Sequence, residues 1–305
     1  MGSSELHLFA PKGVLSVWGE DAATFLQGQF SQDLRIERGA MAYGLWLNQK
    51  GKILADSFIG RVSEDEFLVL SYFGESARLQ SNLESRIIMD EVETEIPTAS
   101  WHGISLWGDA VDVALDAMGL ERPEPGRFVA KEDVYVFWGR RGARENVEIV
   151  SRGPDALARA KDALDSDSIR PMTDEEASVR SIEDFRFEVG RDITDDDLPQ
   201  EVGLDQVAVA YSKGCYIGQE VMARLHAMGR ARRALNCVAL SGRPKGEGPW
   251  KLIGADGRKA GELRRCLEAQ SGPIGSAMIK ASSVVDTIRV DSDRGIEARV
   301  VGRSR

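Results

Sequence analysis

The pattern of hydrophobic residues changes at about Arg232, and this change constrains the fold more than any other feature of the chain. Before it, apolar strand-like runs alternate with helical patterns. After it, only short apolar runs remain, such as "LNCVALSG" and "PIGSAMIK", separated by Gly, Pro and Asp. Short strands between frequent turn residues are typical of a small β-barrel or sandwich. The sequence therefore predicts an α+β region over residues 1–231 and an all-β domain over residues 232–305.

The α+β region contains two successive patterns. In the first, "MAYGLWLNQKGKILADSFIGRV" alternates around an "NQKG" turn, and Leu79 and Leu83 share a helix face. In the second, the helix "DAVDVALDAMG" is closed by Gly119 and is flanked by apolar strands. We expect two α+β subdomains that meet near residues 97–101.

Composition excludes several classes of protein. The 305 residues carry a net charge of -10 and only three cysteines, with no CxxC pair, so we expect neither a disulfide framework nor a metal site. No run approaches the roughly 20 apolar residues that a membrane helix needs. We find no P-loop, HExxH or strand-coupled GxGxxG motif that would indicate nucleotide hydrolysis, zinc proteolysis or nicotinamide chemistry. A cytoplasmic protein without a membrane partner is expected.

Charge is unevenly distributed along the chain. Residues 174–205 are strongly acidic, and the segment "GRDITDDDLPQEVGLDQ" within them is predicted to be a surface loop. Residues 221–265 are strongly basic. The basic segment could form a local anion site, or it could be a solvated face that the acidic segment balances.

The octet "KGCYIGQE", from Lys213 to Glu220, frames one cysteine with a lysine and two glycines. If a helix runs through "GQEVMARLHAMG", Cys215 lies just ahead of its positive N-terminal end. That end and Lys213 would both favour the reactive thiolate. Gly214 and Gly218 indicate a tight backbone or a close approach to another group. The alternative is a buried cysteine that acts as a small hydrophobe, and spacing alone favours that alternative.

Four stretches of the chain carry a family resemblance: "KGCYIGQEVMAR", "VRSIEDFRFEVGRDITDDDLPQEVGL", "LSVWGEDAATFLQGQFSQDL" and "YGLWLNQKGKILAD". Together they resemble the folate-binding YgfZ family, relatives of the glycine-cleavage T-protein that include mitochondrial iron–sulfur assembly factors. The resemblance implies a tetrahydrofolate-binding core of two α+β subdomains and a C-terminal β-barrel around a central channel. It also implies a role in maintaining iron–sulfur enzymes, with effects on tRNA thiolation, and it makes Cys215 the hallmark residue.

The resemblance also indicates which side chains bind folate. Glu188 matches the pterin-binding glutamate of T-protein-like folds, and a carboxylate can accept two parallel hydrogen bonds from a reduced pterin. Asp56 is the second candidate, because strand alternation places it on one face with Leu54 and Phe58. It could be a pocket carboxylate or a charge that protects a sheet edge. Trp46, across the hairpin, is a candidate for a ring that faces the pterin.

The sequence departs from the family pattern at two places. T-protein-type transferases carry two consecutive acids where this chain has Ala55 and Asp56, which weakens the case for aminomethyl transfer. After the octet, "AMGRARR" replaces the usual Arg-Gly pair. The basic character of the region is kept by Arg224 and by the three arginines of this stretch, Arg230, Arg232 and Arg233. Any of the four could contact the glutamyl tail of folate, a tRNA phosphate or only the acidic loop. Arg224 and Arg230 are the folate-binding candidates.

Three functions follow from this pattern. The first is a tetrahydrofolate-binding accessory protein for iron–sulfur cluster assembly or repair, with iron–sulfur proteins or assembly factors as partners and Cys215 and Lys213 as its chemical residues. The second is a folate-dependent aminomethyltransferase or demethylase. The third is a tRNA-binding partner without chemistry of its own, which would bind through basic residues in a salt-dependent manner.

Overall fold

A computed structural model describes residues 4–229, 231–283, 288–292 and 295–303. The first sheet is antiparallel, with strand order β3-β4-β5-β2-β6, and helices α1 and α2 pack on one of its faces. Leu79 and Leu83 of α2 are both buried there, as their spacing predicts. The elements of this unit are β2 (Gly13–Trp18), α1 (Ala22–Gln29), β3 (Met41–Leu47), β4 (Ile53–Arg61), β5 (Glu66–Ser71), α2 (Ser76–Glu84) and β6 (Glu93–Glu95).

The second sheet has six strands in the order β11-β1-β7-β10-β9-β8, and helices α3 and α4 cover one face. Strand β1 is the exception to chain order, because it precedes the first sheet in sequence but pairs with β7 and β11 in the second. The elements are β1 (Ser4–Phe9), β7 (Trp101–Trp107), α3 (Ala110–Met118), β8 (Phe128–Lys131), β9 (Val134–Trp138), β10 (Val147–Arg152), α4 (Ala158–Leu164) and β11 (Ile169–Met172).

The two sheets pack against each other through the faces that their own helices leave open. Phe58 and Leu70 from the first sheet share one buried cluster with Trp101, Phe137 and Val150 from the second. Burial of this apolar surface between the sheets holds the two units together. After the second sheet, α5 (Asp174–Glu183) begins with a capping box in which Thr173 and Glu176 satisfy each other's backbone N–H groups.

The C-terminal strands close into a barrel with the order β12-β15-β14-β13-β16-β17. The strand pattern alone left a barrel and a sandwich open, the family resemblance predicted a barrel, and the structure confirms the barrel. In several strands its buried side chains come from alternate positions, such as Val238 and Leu240 of β12. The strands are β12 (Arg233–Leu240), β13 (Trp250–Ile253), β14 (Lys259–Ala269), β15 (Gly272–Lys280), β16 (Ile288–Val290) and β17 (Glu297–Arg303). We propose that residues 1–231 and 232–305 are the two domains of the chain.

The acidic segment between α5 and the barrel is only partly the surface loop that was predicted, because Asp195 and Asp196 are exposed but other acids are not. Asp192 and Asp197 are fully buried. Arg264 Nη2 donates to Asp197 Oδ1 at 2.9 Å, and Ser276 Oγ donates to Asp192 Oδ1 at 2.6 Å. The barrel thus supplies partners that neutralise the acids, so that the segment can pack between the first sheet and the barrel.

Two short helices follow the acidic segment: α6 (Asp205–Ala208) and α7 (Gln219–Met228). Helix α7 ends at Gly229 in the left-handed conformation, with φ 69°, as the sequence predicts. Val221 and Leu225 contact the core beneath α7, whereas Met228 is exposed.

Candidate functional site

A channel runs between the first sheet, the second sheet and the segment after α5. It consists of two adjoining recesses that share five lining residues: Tyr72, Phe73, Arg141, Ala177 and Glu188. The inner recess contains Asp56 and Arg140. The outer recess is the larger of the two and contains His7 and Arg191. The five shared residues make the two recesses neighbours along the channel.

Asp56 lies in the wall of the inner recess. Its strand β4 is flanked by β3 and β5, so Asp56 does not lie on a sheet edge. The Tyr43 hydroxyl donates to Asp56 Oδ2 at 2.8 Å, whereas Oδ1 is buried and has no partner among the described residues. Burial raises the pKa of Asp56 to about 6. The geometry therefore supports a pocket carboxylate that lacks one hydrogen-bond donor.

Glu188 lies where the inner and outer recesses meet. Arg265 Nη1 donates to its Oε2 at 2.8 Å, and Arg191 Nη1 donates to the same oxygen at 3.3 Å. Among the described residues, no side chain donates to Oε1. The backbone holds the residue in place, because Asp192 Oδ2 accepts from the Glu188 N–H at 2.9 Å. One oxygen is thus committed to the arginines, and the other is available to accept hydrogen bonds from a ligand.

Trp46 does not face this channel, in contrast to the prediction. In the β3–β4 register Leu45 lies opposite Asp56, and Trp46 lies opposite Ala55. Because neighbouring residues point to opposite faces, Trp46 is directed away from Asp56. Its indole Nε1 donates to Ser57 Oγ at 2.8 Å, and the ring is fully buried in the core under α1 and α2. Its place in the structure is that of a core residue.

Two arginines and two tyrosines that sequence reasoning missed complete the channel. The guanidinium of Arg140 lies 4.3 Å from the centre of the Tyr43 ring. That of Arg141 lies 4.1 Å from the centre of the Tyr72 ring and 4.3 Å from that of Phe9. The adjacent arginines of "GRRG" after β9 were the available signal. These cations on aromatic faces place positive charge beside flat apolar surface in the channel.

Lys213 is a structural residue in this geometry, and its predicted effect on the cysteine is not supported. It is buried, and its ammonium donates to the carbonyls of Gln27 at 2.7 Å, Phe30 at 2.7 Å and Gln32 at 2.9 Å. Burial lowers the pKa of this ammonium to about 8. All three donors are used to anchor the loop to the end of α1.

Cys215 is exposed and lines neither recess. The first residue of α7 is Gln219, so the thiol lies beyond the first turn, where the field of the helix falls off. Gly218 has φ 84°, and a Cβ there would lie 2.9 Å from the Asn48 carbonyl oxygen. A Cβ on Gly214 would meet nothing within 4 Å. The close approach predicted for the octet therefore involves Gly218 alone.

The basic residues of α7 are also outside the channel. Arg224 is exposed and lines a separate groove with His226 and Arg232. Arg233 donates to Glu201 Oε1 at 2.8 Å, so it contacts the acidic segment. Arg230 lies outside the described residues. Arg224 thus does not have the position that its predicted role in folate binding requires.

Comparisons with known proteins agree with this architecture. Residues 10–121 match the family described as "GCVT N-terminal domain". The chain superposes on the glycine cleavage system aminomethyltransferase T from Bartonella henselae with a TM-score of 0.82 at 18% identity, over 99% of this chain and 86% of that one. The likeness shows that the fold is that of the T-protein.

The relatives found by sequence carry two names, IBA57 and YgfZ. An "iron-sulfur cluster assembly factor IBA57 homolog, mitochondrial" from Neosartorya fischeri is 25% identical over 91% of this chain and 70% of its own length. The mouse protein named IBA57 is 25% identical over 92% of this chain and 78% of its own. The "tRNA-modifying protein YgfZ" from Colwellia psychrerythraea is 32% identical over 25% of this chain and 24% of its own.

The fold is that of a T-protein-like protein, and residues 10–121 carry the matching family signature. In sequence, the chain is similar to proteins named IBA57 and YgfZ. Among the described residues, no helix is both long and apolar enough to cross a bilayer. The IBA57 relatives are named as mitochondrial, which does not fit the predicted cytoplasmic location.

Proposed function

We propose that this protein binds a reduced folate, tetrahydrofolate or a one-carbon derivative, in its channel. We further propose that it acts as an accessory protein in iron–sulfur cluster assembly or repair, with effects on tRNA modification. The observation that carries the folate proposal is a pair of carboxylate oxygens on one channel, Asp56 Oδ1 and Glu188 Oε1, that accept from no side chain among the described residues. The names of the relatives support the second part of the proposal.

The residues of the inner recess fit a reduced pterin. Its edge presents a row of N–H donors, and the two open oxygens are acceptors. Asp56 Oδ1 is a buried acceptor without a donor, a group that costs free energy until a ligand satisfies it. Tyr72 and Phe73 offer ring faces, and Arg140 offers a guanidinium, beside the same space. When bound, the folate would supply a carrier for one-carbon groups.

Cys215 lies on the surface, outside this recess, and so has a different role from the folate-binding residues. An exposed thiol on an anchored loop is accessible to a macromolecular partner. We propose that it contacts the iron–sulfur client or assembly factor directly. Binding of folate and function in the cell are then separable by mutation. Cys215→Ser should retain folate affinity and lose support of iron–sulfur enzymes in cells, whereas retention of both would make the cysteine dispensable.

The folate proposal is tested by calorimetric titration of tetrahydrofolate under oxygen-free, reducing conditions. The wild type should show saturable binding to one site. Glu188→Gln keeps the size of the side chain but removes its charge and one acceptor, so we expect affinity to fall about tenfold or more. Glu95→Gln, on strand β6 and outside the channel, is the matched control. The site would be excluded if the wild type did not bind tetrahydrofolate, or if Glu188→Gln bound it as tightly as the wild type.

Aminomethyl transfer remains a second candidate because of one observation. The pKa of Asp56 is raised to about 6 by burial, so this carboxyl can exchange a proton close to neutral pH beside the proposed folate. Ala55 stands where transferases of this fold have a further acid, which removes one anchoring carboxylate. Methylene-tetrahydrofolate formed from an aminomethyl or N-methyl donor would establish transfer, and no product across a broad donor panel would reject it.

A further inference from the structure

The two channel arginines are held through their backbone as well as by the aromatic rings beside their guanidinium groups. Both lie between β9 and β10 in residues 139–146, here named the arginine loop. The Arg140 N–H donates to the Tyr72 hydroxyl at 3.1 Å, and the Arg141 N–H donates to Asn146 Oδ1 at 3.0 Å. The position of both arginines in the channel therefore depends on what holds Tyr72 and Asn146 in place.

One buried carboxylate holds both of these residues. Glu148 is fully buried, and its Oε1 accepts from the Tyr72 hydroxyl at 2.7 Å and from Asn146 Nδ2 at 2.7 Å. Its Oε2 accepts from Ser105 Oγ at 2.6 Å, directly across the pairing of β7 with β10. Glu148 is not among the described residues that line either recess. It is thus connected to the channel wall without being part of it.

The directions of these hydrogen bonds are determined by the neighbouring groups. Because Asn146 Oδ1 accepts from a backbone N–H, Nδ2 is the atom that faces Glu148 and donates. Burial, followed by the negative charge of Glu148, raises the pKa of Tyr72 well above its usual value, so its hydroxyl stays protonated and donates. With the Ser105 hydroxyl, three donors converge on one carboxylate. An apolar side chain of the same size would leave all three without an acceptor.

We propose that Glu148 is a positioning residue of the channel, which acts through Tyr72 and the arginine loop and does not contact the ligand itself. Its hydrogen bonds fix the loop before a ligand arrives, so less conformational freedom is lost on binding. Without them, the buried donors would have to move to find new partners, and the loop would move with them. For a folate ligand, this role rests on the proposed function.

Calorimetric titration of tetrahydrofolate, under oxygen-free and reducing conditions, tests the effect on affinity. Glu148→Met removes the acceptor and keeps a similar volume, so we expect affinity to fall about tenfold. Glu148→Gln keeps a carbonyl for Tyr72 and Asn146, and its NH₂ group can donate to the Ser105 hydroxyl. Affinity in Glu148→Gln should therefore stay within about twofold of the wild type. An equal loss in both variants, or undiminished affinity in a folded Glu148→Met protein, would overturn positioning by hydrogen bonds.

Two comparisons separate positioning from loss of stability. Leu252→Ala truncates a fully buried side chain of the barrel core, so it should lower stability and leave affinity unchanged. Tyr72→Phe keeps the ring beside the channel and removes the hydroxyl that links Glu148 to the arginine loop. Because both substitutions break this link, the affinity loss in Glu148→Met/Tyr72→Phe should be smaller than the product of the two single losses. Losses that multiply would show that the two residues act independently and would reject the proposed link.

Limited proteolysis with trypsin tests the same role without a ligand. Trypsin cleaves after arginine, and the rate at a site in a folded protein depends on how often that segment opens. Cleavage after Arg140 or Arg141, identified by mass spectrometry, should be severalfold faster in Glu148→Met than in the wild type. Glu148→Gln and Leu252→Ala should be cleaved there at close to the wild-type rate. Equal rates in Glu148→Met and the wild type would overturn the role of Glu148.

The two assays also distinguish failure of this proposal from failure of the folate proposal. A wild type that does not bind tetrahydrofolate, together with faster cleavage in Glu148→Met, would overturn the folate proposal and support Glu148 as the residue that holds the arginine loop. Tetrahydrofolate binding that is equal in the wild type and Glu148→Met, with equal cleavage, would overturn the positioning role and leave the folate proposal intact.

Discussion

Replacement of Asp56 by Asn should make the protein more stable at neutral pH and at the same time weaken ligand binding at its proposed site. Burial raises the pKa of Asp56 from 3.8 to about 6 in the folded state. Each pKa unit corresponds to 1.36 kcal/mol, so the ionised carboxylate destabilises the fold by about 3 kcal/mol above pH 6. Asparagine avoids this cost and still accepts the hydrogen bond from Tyr43. Its buried NH₂ group takes the place of Oδ1, which costs about 1 kcal/mol, so we expect a net gain of about 2 kcal/mol.

The pH dependence of this effect has a defined sign. The folded protein binds the Asp56 proton more tightly than the unfolded chain, so the wild type loses this contribution as pH rises from about 4 to about 6. The advantage of Asp56→Asn should therefore be complete at pH 7.5 and absent at about pH 4. Urea unfolding of both proteins at the two pH values measures it.

Asp33→Asn is the matched control, with the opposite expected sign. The hydrogen bond from the Arg35 guanidinium holds the pKa of Asp33 well below its usual value. Loss of that carboxylate should cost less than about 1 kcal/mol at neutral pH, because the pair is solvent-exposed. A variant Asp56→Asn that is less stable than the wild type at pH 7.5 would refute the view that Asp56 is a buried carboxylate without adequate partners.

Three further substitutions test how the surroundings of the site are held. Lys213→Met leaves three backbone carbonyls without their donor, so the free energy of unfolding should fall by about 2 kcal/mol or more, and limited proteolysis should cleave the loop faster. Gly218→Ala forces φ 84° on a residue with a Cβ and should lower the free energy of unfolding by about 1 to 2 kcal/mol. Its control, Gly214→Ala, should change that free energy by no more than about 0.5 kcal/mol. Equal effects of the two variants in denaturation would reject the argument. Arg264→Met leaves the buried Asp197 short of its main partner and should cost about 3 to 5 kcal/mol by the same assay.

Local patterns predicted much of the fold correctly. The changed hydrophobic pattern after Arg232 corresponds to the closed barrel, and Gly119 and Gly229 both end helices in the left-handed conformation. These features depend on residues close together in sequence. Turn chemistry and strand alternation are therefore sufficient to predict them.

Register was harder to predict because one extra residue reverses the face of a strand. A bulge near the turn pairs Leu47 with Ile53 and Trp46 with Ala55, which leaves Leu54 unpaired. Leu54 therefore lies with Trp46 on the face opposite Asp56, although simple alternation put it beside Asp56. Phe58, beyond the bulge, does share the face of Asp56, opposite Tyr43.

Contacts between distant segments were not predictable from local pattern. Asp192 and Asp197 of the acidic segment are buried against Arg264 and Arg265, which lie about 70 residues later in the chain. The channel arginines Arg140 and Arg141 follow an apolar strand in an ordinary-looking loop, and only the aromatic rings from other elements give them a function. A single sequence carries no signal for such pairs.

Folate affinity measured side by side for the wild type, Asp56→Asn and Cys215→Ser tests the central claim most directly. Under oxygen-free conditions, calorimetry should give equal affinities for tetrahydrofolate in the wild type and Cys215→Ser, and at least about tenfold weaker binding in Asp56→Asn. This result would show that the buried carboxylate in the channel binds the folate and that the exposed cysteine acts elsewhere. Undiminished binding in Asp56→Asn, or binding lost in a folded Cys215→Ser protein, would contradict the account.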